Sequence, residues 1–346
     1  MNSAAVTQTE LLEIATRLAK AAGRPPPRSL RQLAGGRNNR VFRVETDGAP
    51  LVLKSYFSDP RDPRDRLAAE WNFLQRAWKL GVRVIPEPLA SEPQVQAGLY
   101  SFVAGRKLGP DEVDMCHIDA AVDFVRAINR APCDLSPLGA GSEACFSLAQ
   151  HLNAVEQRIA RLHSLDSEAP QLDAAVGFVS KSLLPVWADV KQRTEREAQA
   201  LGLSMDRAIF EEEICISPSD FGFHNALIDR GNLTFLDFEY AGRDDPAKLI
   251  SDFLCQPEIP VPAKYHARFT ARISDALALP SEGRARCTIL LDVYRVKWAC
   301  IMMNEFLAVG AARRAYASAH ERASRCAAQL AGARAKLAEV EVGLRA

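Results

Sequence analysis

Apolar residues follow two different periods along this chain, a period of two in short runs before residue 105 and a period of three to four in longer runs. Apolar and polar residues alternate from Val41 to Val44, an Asp-Gly pair follows at 47–48, and the next apolar run ends at Lys54. This pattern predicts two strands joined by a turn, placed directly after the glycine pair 35–36. A further apolar run, 99–105, predicts a strand that stops at a flexible joint.

Helical spacing is clearest between Pro63 and Gly81, where one stripe contains Leu67, Trp71, Leu74 and Trp78. The prolines are typical of a helix start and the glycine of a helix end. Similar spacing predicts further helices near residues 10–18 and over 119–129, 143–165, 170–201 and much of 284–346. We therefore predict an α+β protein of two lobes, a small one with the sheet over 1–103 and a larger, mainly helical one over 104–346.

One stretch after residue 225 predicts a tight hairpin. Two apolar runs, 226–228 and 233–236, flank Asp229-Arg230-Gly231-Asn232, a sequence typical of a two-residue turn. If Arg230 and Gly231 form the turn, Asn225 lies opposite Leu236 and His224 lies opposite Asp237. The side-chain amide of Asn225 and the carboxylate of Asp237 then project from the same end of one hairpin.

These side chains suit phosphoryl transfer. Asn225 and Asp237 can offer oxygen ligands to one Mg²⁺, which also binds phosphate oxygens. Asp220, five residues before Asn225, is the candidate to accept or orient the proton of an attacking hydroxyl. Taken alone, the stretch also fits an ordinary surface hairpin with polar turn residues.

Composition narrows the class of partner. The 346 residues are 48% apolar, and 43 basic residues balance 43 acidic ones, so neither nucleic acid nor an anionic membrane is indicated as a partner. Eight cysteines without any Cys-x-x-Cys pair indicate a reducing, cytoplasmic setting. The N-terminus lacks the apolar core of a signal peptide. The most apolar later segment, 289–307, carries four charged residues, so no membrane span is predicted.

The motif Asp220-x-x-x-x-Asn225, followed by Leu236-Asp237-Phe238-Glu239, resembles the catalytic and metal-binding segments of the aminoglycoside phosphotransferase and choline kinase superfamily. These proteins are relatives of the protein kinases. The resemblance covers roughly residues 30–255 and implies a bilobal, protein-kinase-like fold. One departure is the Pro218-Ser219 pair, which stands where the family usually has His-Gly before the catalytic aspartate.

The resemblance also implies a nucleotide site in the N-terminal lobe. By this resemblance, Gly35, Gly36 and Asn39 match a loop that covers the phosphates of the nucleotide. Lys54 on the third strand matches a lysine that neutralises phosphate charge. Glu70, beside the apolar stripe of the next helix, is a better partner for Lys54 than Glu87 or Glu92, which lie near prolines. Ser101 and Val103 fall in the interlobe hinge, whose backbone meets the nucleotide base. Asp252 matches an aspartate that braces the catalytic core and is predicted to be structural.

Together these features predict a Mg²⁺-dependent kinase that moves the γ-phosphoryl of ATP or GTP to a small hydroxylated molecule such as a sugar, an amino sugar or aminoglycoside, or an amino alcohol. Two alternatives stay open. The first is a nucleotide-binding pseudokinase scaffold, suggested by the missing histidine before Asp220 and by a glycine loop that departs from the full triple-glycine loop of protein kinases. The second is a transferase that moves a nucleotidyl group and would use a similar site. Ser217 and Ser219 have no histidine placed by sequence to activate them, which disfavours a serine nucleophile.

The sequence leaves the acceptor open. A polycationic aminoglycoside needs clustered carboxylates, for which residues 211–213 and the Asp244-Asp245 pair are candidates, although such runs are more often solvated surfaces. His151 and His163 lack metal-ligand spacing and are predicted to be ordinary core or surface residues. The chain is predicted to be a monomer or a homodimer.

Overall fold

The computed structural model describes residues 7–33, 39–57, 64–130, 138–308 and 322–345. The strands are β1 (Pro27–Gln32), β2 (Arg40–Thr46), β3 (Leu51–Ser55), β4 (Pro88–Glu92), β5 (Ala97–Ser101), β6 (Cys215–Ser217), β7 (Ala226–Asp229), β8 (Asn232–Phe235) and β9 (Gly242–Asp244). The α-helices are α1 (Gln8–Ala21), α2 (Arg66–Lys79), α3 (Met115–Ile128), α4 (Leu148–Arg161), α5 (Leu172–Phe178), α6 (Leu184–Ala200), α7 (Pro246–Cys255), α8 (His266–Ala276), α9 (Ser281–Ile289), α10 (Leu291–Met302) and α11 (Arg322–Arg345).

The N-terminal part is an antiparallel sheet with strand order β1-β2-β3-β5-β4. Side chains alternate across each strand, so Leu51 and Leu53 of β3 belong to a small core shared with α1. Lys54 is next in sequence and points to the opposite side of the sheet, where it meets Glu70 of α2. The predicted α+β class, with a small sheet lobe and a larger helical part, is confirmed.

Helix α2 has the predicted bounds to within a few residues, but the predicted apolar stripe is wrong in detail. The buried face contains Leu67, Glu70, Phe73 and Leu74, whereas both tryptophans of the stripe are only half-buried. The rotation follows from packing, because Phe73 stacks on Phe238 of the larger lobe with ring centroids 4.5 Å apart. Glu70 therefore lies in the middle of a face that contacts both lobes.

Two predicted helices of the larger lobe begin later than expected or are interrupted. Helix α4 begins at Leu148 because Ser147 caps it, its side chain accepting a hydrogen bond from the Gln150 amide. The 170–201 segment contains a π-helical turn, Val179–Leu183, between α5 and α6. Pro185, the second residue of α6, has no amide proton for the helical ladder, which accounts for the wider turn.

A network of buried charges joins β9 and α7 to the helices around them. Asp244 pairs with Lys248 at 2.6 Å, and Asp252 accepts two hydrogen bonds from Lys297 at 3.0 Å each. Asp245 contacts Arg286 at 3.0 Å and His151 at 3.3 Å. Asp252 is thus engaged by structural partners, as predicted, and His151 is a core residue.

The residues of the two acidic runs are partly exposed and partly buried. Asp244 and Asp245 are at most 1% exposed, and Glu213 is buried against Arg286. Glu211 is exposed and lies 3.3 Å from Arg243. Most of these carboxylates are neutralised inside the protein, because burying an unpaired charge would be very costly. Glu211 and Glu212 are exposed, as expected of a solvated surface. Asp244, Asp245 and Glu213 are buried and do not offer a free anionic lining for an acceptor.

Of the helices that the structure describes, none has the length and apolar character needed to cross a bilayer. The cysteines of the described ranges are free thiols, most of them buried. Burial accounts for the raised pKa of Cys255, Cys287 and Cys300, each to about 12, so these thiols are poor nucleophiles.

Candidate active site

The hairpin of β7 and β8 forms as its turn sequence predicts. Strands β7 and β8 pair with Asp229 opposite Asn232, and Arg230 and Gly231 both have positive φ, 49° and 83°, as a type I′ turn requires. The Leu236 amide donates to the Asn225 carbonyl at 2.8 Å, so that predicted pairing is confirmed. The register does not continue to His224, because Phe223–Asn225 form a 3₁₀ turn.

Phenylalanines fix the direction of the polar side chains. Phe221, Phe223 and Phe238 are each at most 4% exposed and lie beside Asp220, His224 and Asp237 in sequence. The rings form a stack through the lobe, with centroids 4.8 Å apart between Phe221 and Phe253. With the aromatic neighbours buried, the intervening polar residues remain half-buried at the surface of the core.

Lys54 joins the sheet, α2 and the segment after the hairpin. Its Nζ lies 2.6 Å from Glu70 Oε2 and 2.5 Å from Asp237 Oδ1. Burial disfavours the charge of Lys54, but Asp237, Glu70 and Glu239 outweigh that cost and raise the pKa of Lys54 well above its ordinary value. The competing acids predicted to be less suitable pair elsewhere, Glu87 with Arg24 and Glu92 with Arg17.

Glu70 has further partners that sequence reasoning missed. Tyr56 donates to Glu70 Oε2 at 2.8 Å, and the Phe238 amide approaches Oε1 at 3.4 Å. Burial raises the pKa of Glu70, and Lys54 opposes that shift. Tyr56 lies two residues after Lys54 on the same side of the sheet, so strand alternation was the signal that pointed to it.

Replacement of Lys54 by methionine is expected to destabilise the protein by about 3–5 kcal/mol, because it leaves the buried Glu70 carboxylate without its charged partner. Urea unfolding measures the effect. The matched control is Lys54→Met with Glu70→Leu, which removes both charges and should recover part of the loss. A single variant within about 1 kcal/mol of the native protein, the range of exposed pairs, would contradict a buried bridge.

Asp220 is held by two neighbours from the same loop. Asn225 Nδ2 lies 3.0 Å from the Asp220 carbonyl and 3.3 Å from Asp220 Oδ2. His224 Nε2 lies 3.3 Å from the other carboxylate oxygen, Oδ1. The prediction grouped Asp220 with Asn225 and placed His224 opposite Asp237 instead. The spacing of four residues between Asp220 and His224 was the available signal for the contact in the loop.

The residues predicted to bind magnesium fit a hard cation. Because the Asn225 amide nitrogen faces Asp220, its amide oxygen is the atom left for a metal, and Asp237 supplies carboxylate oxygens. Asp237 has a φ of 64°, a left-handed conformation that aspartate tolerates better than most residues. Among the described residues no three histidine, cysteine or acidic side chains gather as a metal site. A cation here would therefore take its remaining ligands from phosphate or water.

The remaining predicted nucleotide residues are placed as follows. Gly35 and Gly36 lie outside the described residues. The Oδ1 of Asn39 accepts a hydrogen bond from the Phe57 amide at 3.0 Å, and its Nδ2 donates a hydrogen bond to Glu239. Ser101 is bonded through both its amide and its hydroxyl to Glu87, so neither group is available to a base, and Val103 follows it half-buried in the linker.

Comparisons with known proteins show the family and the fold of this chain. The model of the phosphotransferase enzyme family matches residues 29–287. A choline/ethanolamine kinase family protein from Mesorhizobium loti is 18% identical, with 97% of this chain and 100% of that chain covered and a TM-score of 0.58. A spectinomycin phosphotransferase solved with ADP and spectinomycin is 11% identical, with 96% and 99% covered and a TM-score of 0.62. An amicoumacin kinase solved with AMP-PNP and Ca²⁺ is 13% identical, with 90% and 88% covered and a TM-score of 0.54. The curated proteins contain no match.

Proposed function

Because this chain belongs to the phosphotransferase enzyme family, we propose that it is a small-molecule kinase that transfers the γ-phosphoryl of ATP or GTP to a hydroxyl group. The observation that carries the proposal is the position of Lys54, in contact with both Glu70 and Asp237. A phosphate-binding lysine and a metal-binding aspartate thereby meet at one point. Asp220 and Asn225 lie in the loop that leads to the same hairpin.

Lys54 and the glycine loop bind the nucleotide phosphates in this proposal. Glu70 holds the Lys54 ammonium at a fixed place, so its position is already determined when phosphate arrives. Gly35, Gly36 and Asn39 cover the phosphates, and the linker at Ser101 and Val103 meets the base. The bonds that Ser101 makes to Glu87 leave the backbone of Val103 as the better candidate of the two.

Asn225 and Asp237 are the residues that would hold Mg²⁺. When bound, the ion supplies positive charge to phosphate oxygens, where negative charge must be stabilised during transfer. Asp237 would then exchange part of its contact with Lys54 for the metal, and Lys54 would turn toward phosphate while keeping Glu70. Glu239, which contacts Asn39, is a candidate to orient a water of the metal.

Asp220 acts on the acceptor. Its carboxylate accepts a hydrogen bond from the attacking hydroxyl and aligns that oxygen with the γ-phosphorus. It takes the proton as the new oxygen–phosphorus bond forms and the bond from the γ-phosphorus to the leaving nucleoside diphosphate breaks. The acceptor is a small molecule such as a sugar, an amino sugar or an amino alcohol. The burial of Asp244, Asp245 and Glu213 leaves only Glu211 and Glu212 of the acidic candidates exposed, which weakens the case for a polycationic acceptor. We further propose a cytoplasmic monomer or homodimer.

Transfer is tested with ATP or GTP labelled at the γ-phosphate, magnesium and a panel of hydroxylated molecules from these three classes. Mass spectrometry of the products should show the gain of one phosphate. A gain of one nucleotidyl group instead would establish the alternative transferase. Stabilisation by nucleotide without any product would favour the pseudokinase scaffold, and no stabilisation by either nucleotide would refute the kinase proposal.

A further inference from the structure

Two buried tyrosines lie behind the Lys54–Glu70 pair. Tyr56 follows β3 directly, and Tyr100 is on β5, the neighbouring strand. Both are at most 5% exposed, and their hydroxyl oxygens lie 2.7 Å apart. The Tyr56 hydroxyl also lies 2.8 Å from Glu70 Oε2. A chain of polar groups therefore runs from β5 through Tyr56 to the carboxylate beside Lys54.

The hydrogen bonds of this chain have a definite direction. A phenol has a single proton, and Tyr56 donates its proton to the Glu70 carboxylate. In the contact between the two hydroxyls Tyr56 is therefore the acceptor and Tyr100 is the donor. Burial raises the pKa of both phenols, so both keep their protons. The order of donation is from Tyr100 to Tyr56 and from Tyr56 to Glu70.

A glycine on β5 leaves room for the Tyr100 phenol. Gly98 lies opposite Lys54 in the register of β3 and β5. A Cβ on Gly98 would come within 2.5 Å of the Tyr100 hydroxyl oxygen and 2.8 Å of Cζ, which is closer than real contacts allow. Gly98 lies within an ordinary strand, so space and not backbone conformation is what a side chain would disturb. The phenol thus lies over Gly98, on the sheet face that also carries Lys54.

Without Tyr56, the Glu70 carboxylate would be held by weak or mobile partners. Its Oε1 has one partner among the described residues, the Phe238 amide at 3.4 Å, which is long for a hydrogen bond. Its Oε2 meets Lys54 at 2.6 Å, but the lysine has a flexible stem and is shared with Asp237 at 2.5 Å. The terminal torsion of a glutamate is broad, so the carboxylate would follow the lysine as it moved. A rigid phenol bonded to the same oxygen prevents that movement.

We propose that Tyr56 and Tyr100 are positioning residues, whose hydroxyls fix Glu70 Oε2 and thereby the place at which Lys54 meets the nucleotide phosphates. Tyr100 acts by holding the Tyr56 hydroxyl in line with Glu70. The role toward phosphate rests on the proposed function. The effect on Lys54 itself requires no nucleotide, so it can be measured separately.

The effect on Lys54 is tested by nitrogen NMR of the lysine ammonium groups in the full-length protein, with the Lys54 signal assigned from a Lys54→Arg sample. Tyr56→Phe and Tyr100→Phe each remove one hydroxyl and keep the ring, including the Tyr56 ring 5.1 Å from Lys54 Nζ. Both should move the Lys54 Nζ resonance, whereas Lys248 and Lys297, buried in the larger lobe, should keep theirs. An unchanged Lys54 resonance in either variant would overturn the proposal whether or not the protein binds nucleotide.

The role toward phosphate is tested by titration calorimetry with magnesium and the nucleoside triphosphate that the native protein binds, and separately with the matching nucleoside. Tyr56→Phe should weaken triphosphate binding by about twofold to tenfold, the range for one hydrogen bond. Binding of the nucleoside should not change, because it lacks the phosphates that Lys54 meets. An unchanged triphosphate affinity, or an equal loss for both ligands, would overturn the proposal.

The matched control is Tyr265→Phe, which removes the hydroxyl of a half-buried tyrosine in the larger lobe. It makes the same chemical change and should leave the Lys54 resonance and both affinities as in the native protein. A shift of the Lys54 resonance in this variant as large as in Tyr56→Phe would overturn the proposal, because the loss of any phenol hydroxyl would then have the same effect.

Coupled variants separate an action through Lys54 from a direct effect of the tyrosines. Adding Tyr100→Phe to Tyr56→Phe should cost no further triphosphate affinity, because Tyr100 acts only through Tyr56. Adding Tyr56→Phe to the double variant Lys54→Met with Glu70→Leu should also cost nothing further, because the residues that it positions are gone. Additive losses in either case would overturn the proposal. If the native protein binds no nucleotide, the proposed function loses support, and the NMR result alone decides whether the tyrosines position Lys54.

Discussion

Asp220→Asn is expected to reduce phosphoryl transfer by about 10²- to 10⁴-fold, the range for loss of a group that accepts a proton in the transition state. Asparagine keeps the shape of the side chain and one acceptor oxygen, so the loop with His224 and Asn225 should stay in place. Lys54 pairs with Glu70 and Asp237 and not with Asp220, so nucleotide affinity should change little. The measurements are kcat with an accepted substrate and the thermal shift with ATP.

The matched control for this variant is Asp229→Asn, at the exposed turn of the hairpin that follows the Asp220 loop. It makes the same chemical change nearby in the chain and should leave the rate near that of the native protein. A rate for Asp220→Asn within a few-fold of the native rate would remove Asp220 from the proposed mechanism. A large loss in both variants would indicate damage to the hairpin rather than to the chemistry.

Asp237→Ala is expected to abolish the magnesium-dependent part of nucleotide binding. A ligand at about 100 times its Kd stabilises a protein by roughly 2.7 kcal/mol, so native protein with ATP should melt at a clearly higher temperature with magnesium than without it. The variant should show no such difference, because Asn225 alone offers too few oxygens to hold a hydrated cation. Thermal unfolding with ATP and with GTP, each with and without magnesium, measures it.

The fold should survive this substitution, since Lys54 keeps its contact with the buried Glu70 at 2.6 Å. Far-ultraviolet circular dichroism and a cooperative transition check that point. Asp229→Asn again serves as the control and should keep the full metal-dependent shift. If Asp237→Ala keeps it as well, the metal site lies elsewhere and the assignment of Asn225 and Asp237 is wrong.

The pseudokinase alternative is weakened by what is preserved around the missing loop histidine. A scaffold needs the nucleotide site at most, yet Asp220 retains close contacts to His224 and Asn225 in the acceptor-side loop. Ser219, at the position where the family has glycine, adopts a left-handed φ of 63°, a conformation that costs a serine some strain. Such strain is maintained where the loop shape matters, which favours an active site over a remnant.

The elements closest to the chemistry were predictable because their signals are local. The Asp-Arg-Gly-Asn turn sets the register of β7 and β8, and that register places Asn225 beside Leu236. Strand alternation places Lys54 opposite the face of Leu51 and Leu53. Turn chemistry and side-chain periodicity act over a few residues, so a single sequence contains the whole interaction.

Contacts between distant elements decided the rest. The buried face of α2 is set by the stacking of Phe73 on Phe238. The spacing of apolar residues around either phenylalanine does not show that the two rings are in contact. Asp244 and Asp245 read as a surface pair, but tertiary packing brings Lys248, His151 and Arg286 around them. Whether a charged side chain is solvated or neutralised depends on which elements pack around it, and a single sequence does not show which elements those are.

The sequence by itself determined the order of the chemical groups, their spacing on strand and hairpin, and the family to which that order points. Only the tertiary structure decided that Lys54 reaches both Glu70 and Asp237, and that His224 turns toward Asp220 rather than along the hairpin. The physical reason is that the first set depends on backbone geometry within a segment. The second depends on which side chains fill the space between segments, and packing alone settles that.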